Sequence, residues 1–255
     1  FSEGRGVNEF EASGSILEPP SPFDTEGGSA VLSGAAVDPL DGDLYVVDAK
    51  NEDIQLFEPS GTEVSGSGFP ISVAGSSSCI YFCILGKDTL TQLASDAAGN
   101  VYFPNPPNHE VQEFSPTGSE IQTFTGSTVG AFGEPHGVAV DSEGNVYVAD
   151  SSNGRVVRIE HGTGTQSVLD SEGAKSVAVD PSTNDVFVGE YNGDVSCEPE
   201  STPCFHVVEF GPSGTKLDDF GAGLIGAGGL PGPEGEAEAS SDTIAVNQTT
   251  RNVYV

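Results

Sequence analysis

The chain alternates short apolar runs with polar turns, and one order of runs and turns recurs five times. The first part of the repeat is an apolar strand, an Asp or Asn turn, and a second strand that carries an aromatic residue. Short apolar or alternating runs bounded by turn residues are typical of β-strands. The five copies are AVDPLDGDLYVV (36–47), ASDAAGNVYF (94–103), AVDSEGNVYVA (139–149), AVDPSTNDVFVG (178–189) and AVNQTTRNVYV (245–255).

The second part of the repeat is a hairpin, in which an aromatic or aliphatic anchor precedes a Gly-containing turn and a further aliphatic residue. Its copies are FEASGSIL (10–17), FEPSGTEV (57–64), FSPTGSEI (114–121), the looser IEHGTGTQSV (159–168) and FGPSGTKL (210–217). Repeats with a period of tens of residues are typical of propellers and solenoids. We therefore predict an all-β fold, a β-propeller of four-stranded antiparallel blades.

The spacing of the repeats predicts one domain over residues 1–255. Its blades are expected at about 33–64, 92–124, 137–169, 176–220, and 243–255 completed by 5–17. The last blade is shared because the C-terminal copy stops after a second strand, whereas residues 10–17 supply a third and a fourth. Five repeats are detected, and the segments 65–90 and 218–242 leave room for more strands. The prediction is therefore five or six blades.

Each position in the repeat has an expected structural role. The Asp or Asn accepts hydrogen bonds from nearby main-chain N–H groups and so starts a turn. The aromatic of the second strand fills the wedge between blades, as expected for Tyr45, Tyr102, Tyr147, Phe187 and Tyr254. The fourth strand is expected at Val64, Ile121, Leu217 and Leu17.

The segment GEPHGVAVDSEGNVYVADSSNGRVVRI (133–159) resembles an NHL repeat. The other copies are degenerate but keep the strand-turn-strand core, so the resemblance covers most of the chain. It implies a propeller related to the YWTD and other six-bladed families. It also implies that a ligand site lies at the mouth of the central channel, where related propeller lyases carry metal-binding or catalytic histidines. Propellers host many unrelated functions, so the activity does not follow from the fold.

The net charge of the chain limits the classes of binding partner that we expect. Eight Lys and Arg residues face 39 Asp and Glu residues, for a net charge of −31. Such a surface repels phosphate backbones and anionic lipids, which excludes nucleic acid as the expected partner. It favours cations, basic partners or a high-salt environment. The sequence contains no apolar stretch long enough to span a membrane, so no membrane insertion is expected.

The four cysteines form two close pairs, and we predict the disulfides Cys79–Cys83 and Cys197–Cys204. Neither spacing matches a common zinc motif. Disulfides indicate an oxidising compartment, so we expect a secreted, extracellular or cell-surface protein. The sequence begins at Phe1 and contains no Met, which indicates processing or excision from a longer chain.

Polar residues in the loops of one face make up the candidate ligand site at the channel mouth. The expected ligand-binding residues are His136, Asp48, Asp150, Asn153 and Glu190. Asp48, Asp150 and Glu190 carry the oxygen ligands that Ca²⁺ prefers, and calcium is the one cofactor that the pattern indicates. The alternative is structural: His136 packs against a neighbour, and Asp150 pairs with Arg155 or caps local N–H groups.

The sequence contains no catalytic constellation: Gly-x-Ser-x-Gly, a phosphate loop and a dinucleotide fingerprint are all absent. We therefore expect a non-enzymatic binding or scaffold module for a protein, glycan or cation. One alternative is a metal-dependent lyase or lactonase with its site near His136, Asp150 and Glu190. Another is a subunit of a surface filament, in which the N-terminal hairpin of one copy completes the last blade of the next.

Overall fold

The computed structural model describes residues 6–7, 23–24, 32–48, 51–66, 68–73, 91–197, 202–220, 243–247 and 250–254. Within these ranges the regular structure is β-strand, apart from two 3-10 turns at Pro106–Asn108 and Ser151–Asn153. No helix in the described part of the chain has the length and apolar character needed to cross a bilayer.

Four four-stranded antiparallel sheets and two strand pairs account for the strands. Near the N-terminus, β1 (Gly6–Val7) pairs with β2 (Phe23–Asp24). Blade 1 is β3 (Leu32–Val37), β4 (Leu44–Asp48), β5 (Asp53–Phe57) and β6 (Ile71–Ser72). Blade 2 is β7 (Ala94–Ser95), β8 (Val101–Asn105), β9 (Glu110–Phe114) and β10 (Glu120–Phe124).

The remaining strands repeat the same order. Blade 3 is β11 (Pro135–Val140), β12 (Val146–Asp150), β13 (Arg155–Ile159) and β14 (Gln166–Asp170). Blade 4 is β15 (Ala174–Asp180), β16 (Asp185–Cys197), β17 (Thr202–Phe210) and β18 (Lys216–Phe220). The pair β19 (Ala245–Val246) and β20 (Val253–Tyr254) follows.

The sheets are arranged radially around a common axis. In each blade the strands pair in chain order, and the first strands of consecutive sheets contact one another from β3 through β7, β11 and β15 to β19. The first strand of each of these five sheets is therefore innermost. This arrangement confirms the prediction of a β-propeller built from four-stranded antiparallel blades.

Burial changes from the axis to the rim in the way that the sequence pattern predicts. Every residue of β4, β8 and β12 is buried, because these second strands lie between two strands of their own blade and pack against neighbouring blades. The outer strands β10 and β18 are exposed except at their last residue. The decrease in burial from the axis to the rim explains why the second strands are apolar throughout and why the fourth strands are polar.

The Asp turn forms as predicted. In blade 3, one oxygen of Asp141 accepts hydrogen bonds from the main-chain N–H groups of Glu143 (3.0 Å) and Asn145 (2.8 Å). The other oxygen accepts the side-chain amide of Asn145 (2.8 Å) and the hydroxyl of Tyr147 (3.1 Å). Asp96 makes the same set of contacts in blade 2. The repeated Asp therefore joins the turn to the buried aromatic.

The aromatic residues of the second strands fill the wedges in four of the five copies. Tyr45, Tyr102, Tyr147 and Phe187 are at most 3% exposed. Tyr254 differs, since 56% of its surface is exposed. The prediction that it fills a wedge is wrong for this reason: no later blade among the described residues packs on its side of β20.

Blade 1 departs from the predicted fourth strand at Val64. The pairing begins there, because Glu63 bridges Phe57 and the Val64 N–H donates to the oxygen of Leu56 (2.8 Å). The chain then leaves the sheet at Gly66 and returns as β6, which pairs with the start of β5. The segment 65–90 thus contributes an outer strand to blade 1.

The terminal strands and the cysteines leave two predictions open. Among the described strands, β1 pairs with β2 rather than with β20, and most of 5–17 lies outside the described residues. Completion of the last blade by that segment stays a prediction. Cys79 and Cys83 also lie outside the described residues. Cys197 and Cys204 lie on the paired strands β16 and β17, and both disulfides stay predictions.

Candidate functional site

The loops that join the second and third strands form one surface, which we call the mouth face; it includes residues 106–109 and 151–154 and their counterparts in other blades. At this face, each blade has a polar residue that comes three residues after the aromatic of the second strand and pairs across the ladder with a residue of the third strand. The pairs are Asp48 and Asp53, Asn105 and Glu110, Asp150 and Arg155, and Glu190 and His206. The second-strand members are at most 1% exposed. Most of the predicted ligand-binding residues are therefore buried in the blades.

Asp150 is the centre of a structural clamp in blade 3. Its carboxylate accepts hydrogen bonds from the Arg155 guanidinium (2.8 Å), the Asn153 amide (2.8 Å) and the Gly133 N–H (2.6 Å). Arg155 also donates to the main-chain oxygens of residues 129–131. The clamp ties the connection between blades 2 and 3 to the core of blade 3. The predicted pairing of Asp150 with Arg155 is confirmed, and ligand binding by Asp150 stays a prediction.

Glu190 and His206 form a different pair at the same position in blade 4. The Nε2 atom of His206 lies 3.1 Å from Oε2 of Glu190, and both residues are buried. Burial, followed by the negative charges of Asp170 and Glu172, raises the pKa of Glu190 to about 8. The buried Oε1 of Glu190 and Nδ1 of His206 make no hydrogen bond in the described structure. Glu190 is therefore protonated at neutral pH, and its side chain and that of His206 are both buried.

Blade 1 carries two acids at this position. The Asn51 amide donates to Asp48 (2.9 Å), and Asp53 lies opposite Asp48 across the ladder. Burial, followed by the charges of Asp48 and Glu63, raises the pKa of Asp53 to about 6. The buried position at the end of the second strand thus carries different side chains and different contacts in blades 1, 3 and 4.

His136 lies on the innermost strand β11, not in a loop before it. The side chain is partly buried, and its main-chain oxygen accepts a hydrogen bond from the Gln92 N–H (2.8 Å). Burial lowers the pKa of His136; nearby Lys175 lowers it further, while Glu134 opposes both effects. His136 therefore favours the neutral imidazole. A neutral ring in a partly covered site agrees with the packing alternative for this residue.

Gln92 is a residue at the centre of the fold that sequence reasoning missed. Its side-chain Nε2 donates to the main-chain oxygens of Val177 (2.8 Å) and Ile244 (3.0 Å). Its main chain pairs in parallel with Gly137. The side chain therefore joins blade 4 to the segment that leads into β19, and the main chain of Gln92 pairs with blade 3.

The sequence does contain a signal for this contact. Four residues before the turn Asp or Asn, the other copies have small residues, whereas blade 2 has Gln92; the small residues are Gly34, Gly137, Ser176 and Thr243. A Cβ added to Gly137 would lie 3.3 Å from Oε1 of Gln92. The small side chains at this position leave space near the axis for the long side chain of Gln92. The difference between Gln92 and the small residues indicates a contact between blades only when the strands are already known to surround an axis.

The predicted calcium ligands do not converge. Asp48, Asp150 and Glu190 belong to three different blades, and each has contacts near its own loop. Within the described ranges, no three His, Cys, Asp or Glu side chains are placed to hold a metal ion. Of the five predicted ligand-binding residues, Asn153 alone is exposed on the mouth face. Cation binding at these positions stays a prediction.

The comparison with known proteins agrees with this architecture. Residues 132–159 match the NHL repeat family. No curated protein sequence matches the chain.

Solved structures with the same fold include enzymes. A catalytically inactive virginiamycin B lyase from Staphylococcus aureus with quinupristin superposes with a TM-score of 0.57 at 11% identity, over 84% of this chain and 62% of the lyase. A gluconolactonase from Xanthomonas campestris superposes with a TM-score of 0.58 at 12% identity, over 86% of this chain and 68% of that protein.

A third such structure, hydrazine synthase from Kuenenia stuttgartiensis, gives a TM-score of 0.52 at 15% identity, over 82% of this chain and 52% of the enzyme. The chain therefore spans less than two thirds of the lyase and of the synthase. Identities this low are evidence for a shared fold alone. The radial four-stranded sheets and these structural neighbours show that the chain is a β-propeller, and residues 132–159 are similar to an NHL repeat.

Proposed function

We propose that the chain is a non-enzymatic binding scaffold that acts outside the cell or at the cell surface and presents its mouth face to a partner. One observation carries this proposal: the acids at the ends of the second strands are buried and paired within their own blades. Groups used in this way stabilise blades and are not free to act on a substrate.

The net charge of −31 supports a basic partner. The acidic residues exposed around the mouth face include Glu134 and Glu172. These residues precede β11 and β15, so they border the channel end that His136 also borders. A basic peptide or protein would meet their charges before reaching the buried pairs. A glycan or a free cation is a less specific fit to exposed carboxylates on separate loops.

A binding experiment tests this proposal with Arg- and Lys-rich peptides of defined sequence as probes. Saturable binding at physiological salt is expected. Reversing charge at the mouth face with Glu134→Lys or Glu172→Lys should weaken binding by roughly tenfold, because complementary charge at the contact is lost. Glu120→Lys, an exposed reversal on the outer strand β10, is the matched control and should leave the affinity unchanged. Equal loss in all three variants would contradict the proposal.

A turnover experiment tests the non-enzymatic part. The chain is incubated with quinupristin or gluconolactone, with Mg²⁺ or Ca²⁺ present, and the products are separated by chromatography. No conversion above the protein-free rate is expected. Conversion that disappears in His136→Ala would overturn the proposal in favour of a propeller lyase or lactonase.

A further inference from the structure

One side of β3, the innermost strand of blade 1, is exposed to solvent. Ala35 on this side is exposed. The same position is at most 5% exposed in the other repeats, where the residues are Leu93, Val138, Val177 and Ile244. Val37, the next residue on this side of β3, is 60% exposed. Its aliphatic counterparts are partly buried and pack on apolar clusters; they are Val140, Val179 and Val246.

The turn after β3 continues this apolar surface. Leu40 is 64% exposed, and Pro39 beside it is also exposed. The turn residues at the same position of blades 2, 3 and 4 are small or polar; they are Ala98, Glu143 and Ser182. Single exposed apolar residues are common, but Ala35, Val37, Pro39 and Leu40 lie close together in sequence at one end of one blade. We call these four residues the blade 1 strip.

Hydrogen bonds fix the main chain of the blade 1 strip. A carboxylate oxygen of Asp38 accepts the N–H of Leu40 (2.8 Å), and the N–H of Asp38 donates to the main-chain oxygen of Asp43 (2.7 Å). The main-chain oxygen of Val37 accepts the hydroxyl of Ser95 in blade 2 (2.6 Å). A surface that is ordered before binding loses little conformational entropy when a partner docks.

Carboxylates border the blade 1 strip. Asp41 and Glu58 are exposed, and Asp43 is partly buried. Burial, followed by the negative charges of Asp41, Asp38 and Glu58, raises the pKa of Asp43, so these groups lie close enough to act on one another. The charge around the strip is therefore negative. A complementary partner has Lys or Arg next to its apolar contact residues.

We propose that the blade 1 strip is a docking site for a segment of a partner protein in which apolar side chains alternate with Lys or Arg. The apolar side chains cover Val37 and Leu40, and the cations lie near Asp41 and Glu58. The strip lies at the end of the blade that carries the turn between the first and second strands, which is opposite the mouth face. The inference is therefore independent of binding at the mouth face. A second copy of this chain is a poorer occupant, because two chains of charge −31 repel each other.

A calorimetric titration of the full chain at physiological salt tests this proposal, with a peptide of alternating leucine and lysine as the probe. Leu40→Ser should weaken binding roughly tenfold, because the apolar contact is lost. Serine suits this turn position, since Ser182 occupies it in blade 4. Ala98→Ser, the equivalent exposed turn position of blade 2, is the matched control and should leave the affinity unchanged.

A second pair of variants tests the charge. Asp41→Lys should also weaken binding several-fold, because it places a cation beside the lysines of the peptide. Glu120→Lys makes the same reversal on the outer strand β10 and should leave the affinity unchanged. Circular dichroism of each variant reports whether the blades remain folded.

The outcomes distinguish the possible occupants. Binding that Leu40→Ser and Asp41→Lys weaken, and that the two controls leave unchanged, supports the proposal. Equal affinity for a peptide with serine in place of every leucine means that charge alone attracts the probe, and overturns it. No saturable binding overturns it as well.

Two further results would place the occupant elsewhere. Binding that Glu134→Lys weakens and Leu40→Ser does not places the peptide at the mouth face, which overturns this docking site and leaves the function proposed above intact. Light scattering that shows a dimer in the wild type and a monomer in Leu40→Ser means that a second copy covers the strip, and also overturns the proposal.

Discussion

The side-chain amide of Gln92 donates a hydrogen bond to the main-chain oxygen of Ile244, across 152 positions of sequence. The same nitrogen donates to the oxygen of Val177 in blade 4. These two contacts join parts of the ring that no β-ladder among the described strands connects. A single residue near the axis thus stabilises the relative positions of several blades.

Gln92→Ala should therefore lower the free energy of unfolding by about 2 kcal/mol, since two carbonyl oxygens near the axis lose their donor. Urea unfolding followed by circular dichroism measures the change. Thr123→Ala, at an exposed position of β10 where the hydroxyl donates to the exposed Glu120, is the control and should cost well under about 1 kcal/mol. Equal losses in the two variants would show that Gln92 does not link the blades.

Arg155→Ala should be the most destabilising change of a charged residue, costing about 3 kcal/mol, because it leaves the carboxylate of Asp150 buried without its cation. The Asp150 side chain is fully buried and that of Arg155 is 13% exposed. The control is Lys216→Ala, which removes an ion pair with Asp219 whose members are 46% and 44% exposed. That pair should contribute less than about 1 kcal/mol. A similar cost for both variants would contradict the clamp.

Glu190 should make stability decrease as pH rises from about 5 to about 8. Its pKa is raised from 4.5 to about 8 in the folded chain, so the folded state holds a proton that the unfolded state has lost. The stabilisation is complete below pH 4.5 and disappears as pH rises through the folded-state value. The slope from this group is at most about 1.4 kcal/mol per pH unit.

The variant Glu190→Gln isolates this contribution, because its amide cannot ionise. Its free energy of unfolding should decrease less than that of the wild type between pH 5 and pH 8, which roughly brackets the expected titration. Unfolding curves at a series of pH values provide the comparison. Parallel curves for the two proteins would exclude a protonated Glu190.

Tyr147→Phe should cost about 1.5 kcal/mol, since it removes a hydrogen bond to a buried carboxylate without leaving a large cavity. The hydroxyl of Tyr147 donates to Asp141, and burial, followed by the charge of Asp141, raises the pKa of Tyr147 to about 12. Tyr254→Phe is the matched control at the same repeat position, where the side chain is exposed. Thermal unfolding should distinguish the two variants, and a larger effect at Tyr254 would contradict the assignment.

Salt should stabilise the whole chain. Raising NaCl from about 0.05 M to about 0.5 M shortens the screening length and so reduces repulsion among the acidic side chains. With a net charge of −31, a rise of several degrees in the unfolding midpoint is expected. KCl should act equally, because screening depends on ionic strength and not on a specific ion. An unchanged midpoint would mean that local pairing already neutralises the repulsion.

The blades could be predicted because the hydrogen bonds of their turns join residues that are near one another in sequence. Asp141, Gly144 and Tyr147 lie within seven residues of one another, and their hydrogen bonds close one turn inside one blade. The same turn is expected wherever the pattern recurs, so the positions of the strands before and after the turn can be predicted from the spacing of the repeats. The outer strand of blade 1 was missed because the chain leaves the sheet after Val64 and returns at Ile71.

The site was less predictable, because burial depends on residues that are distant in sequence. The sequence pattern places Asp150 and Glu190 as polar residues at strand ends, and only the structure shows that both are buried. The same pattern places Asn153 nearby, and Asn153 is exposed. The repeat pattern places all three in equivalent regions and does not distinguish their surroundings.

That this chain folds as antiparallel blades follows from its sequence, since the repeat period, the turn residues and the apolar runs act over a few residues. Which polar groups are buried, and that the Gln92 side chain bonds to Val177 and Ile244, is visible only in the folded chain. Those outcomes depend on how blades pack against one another, and contacts between blades join residues whose separation in sequence carries no local signal.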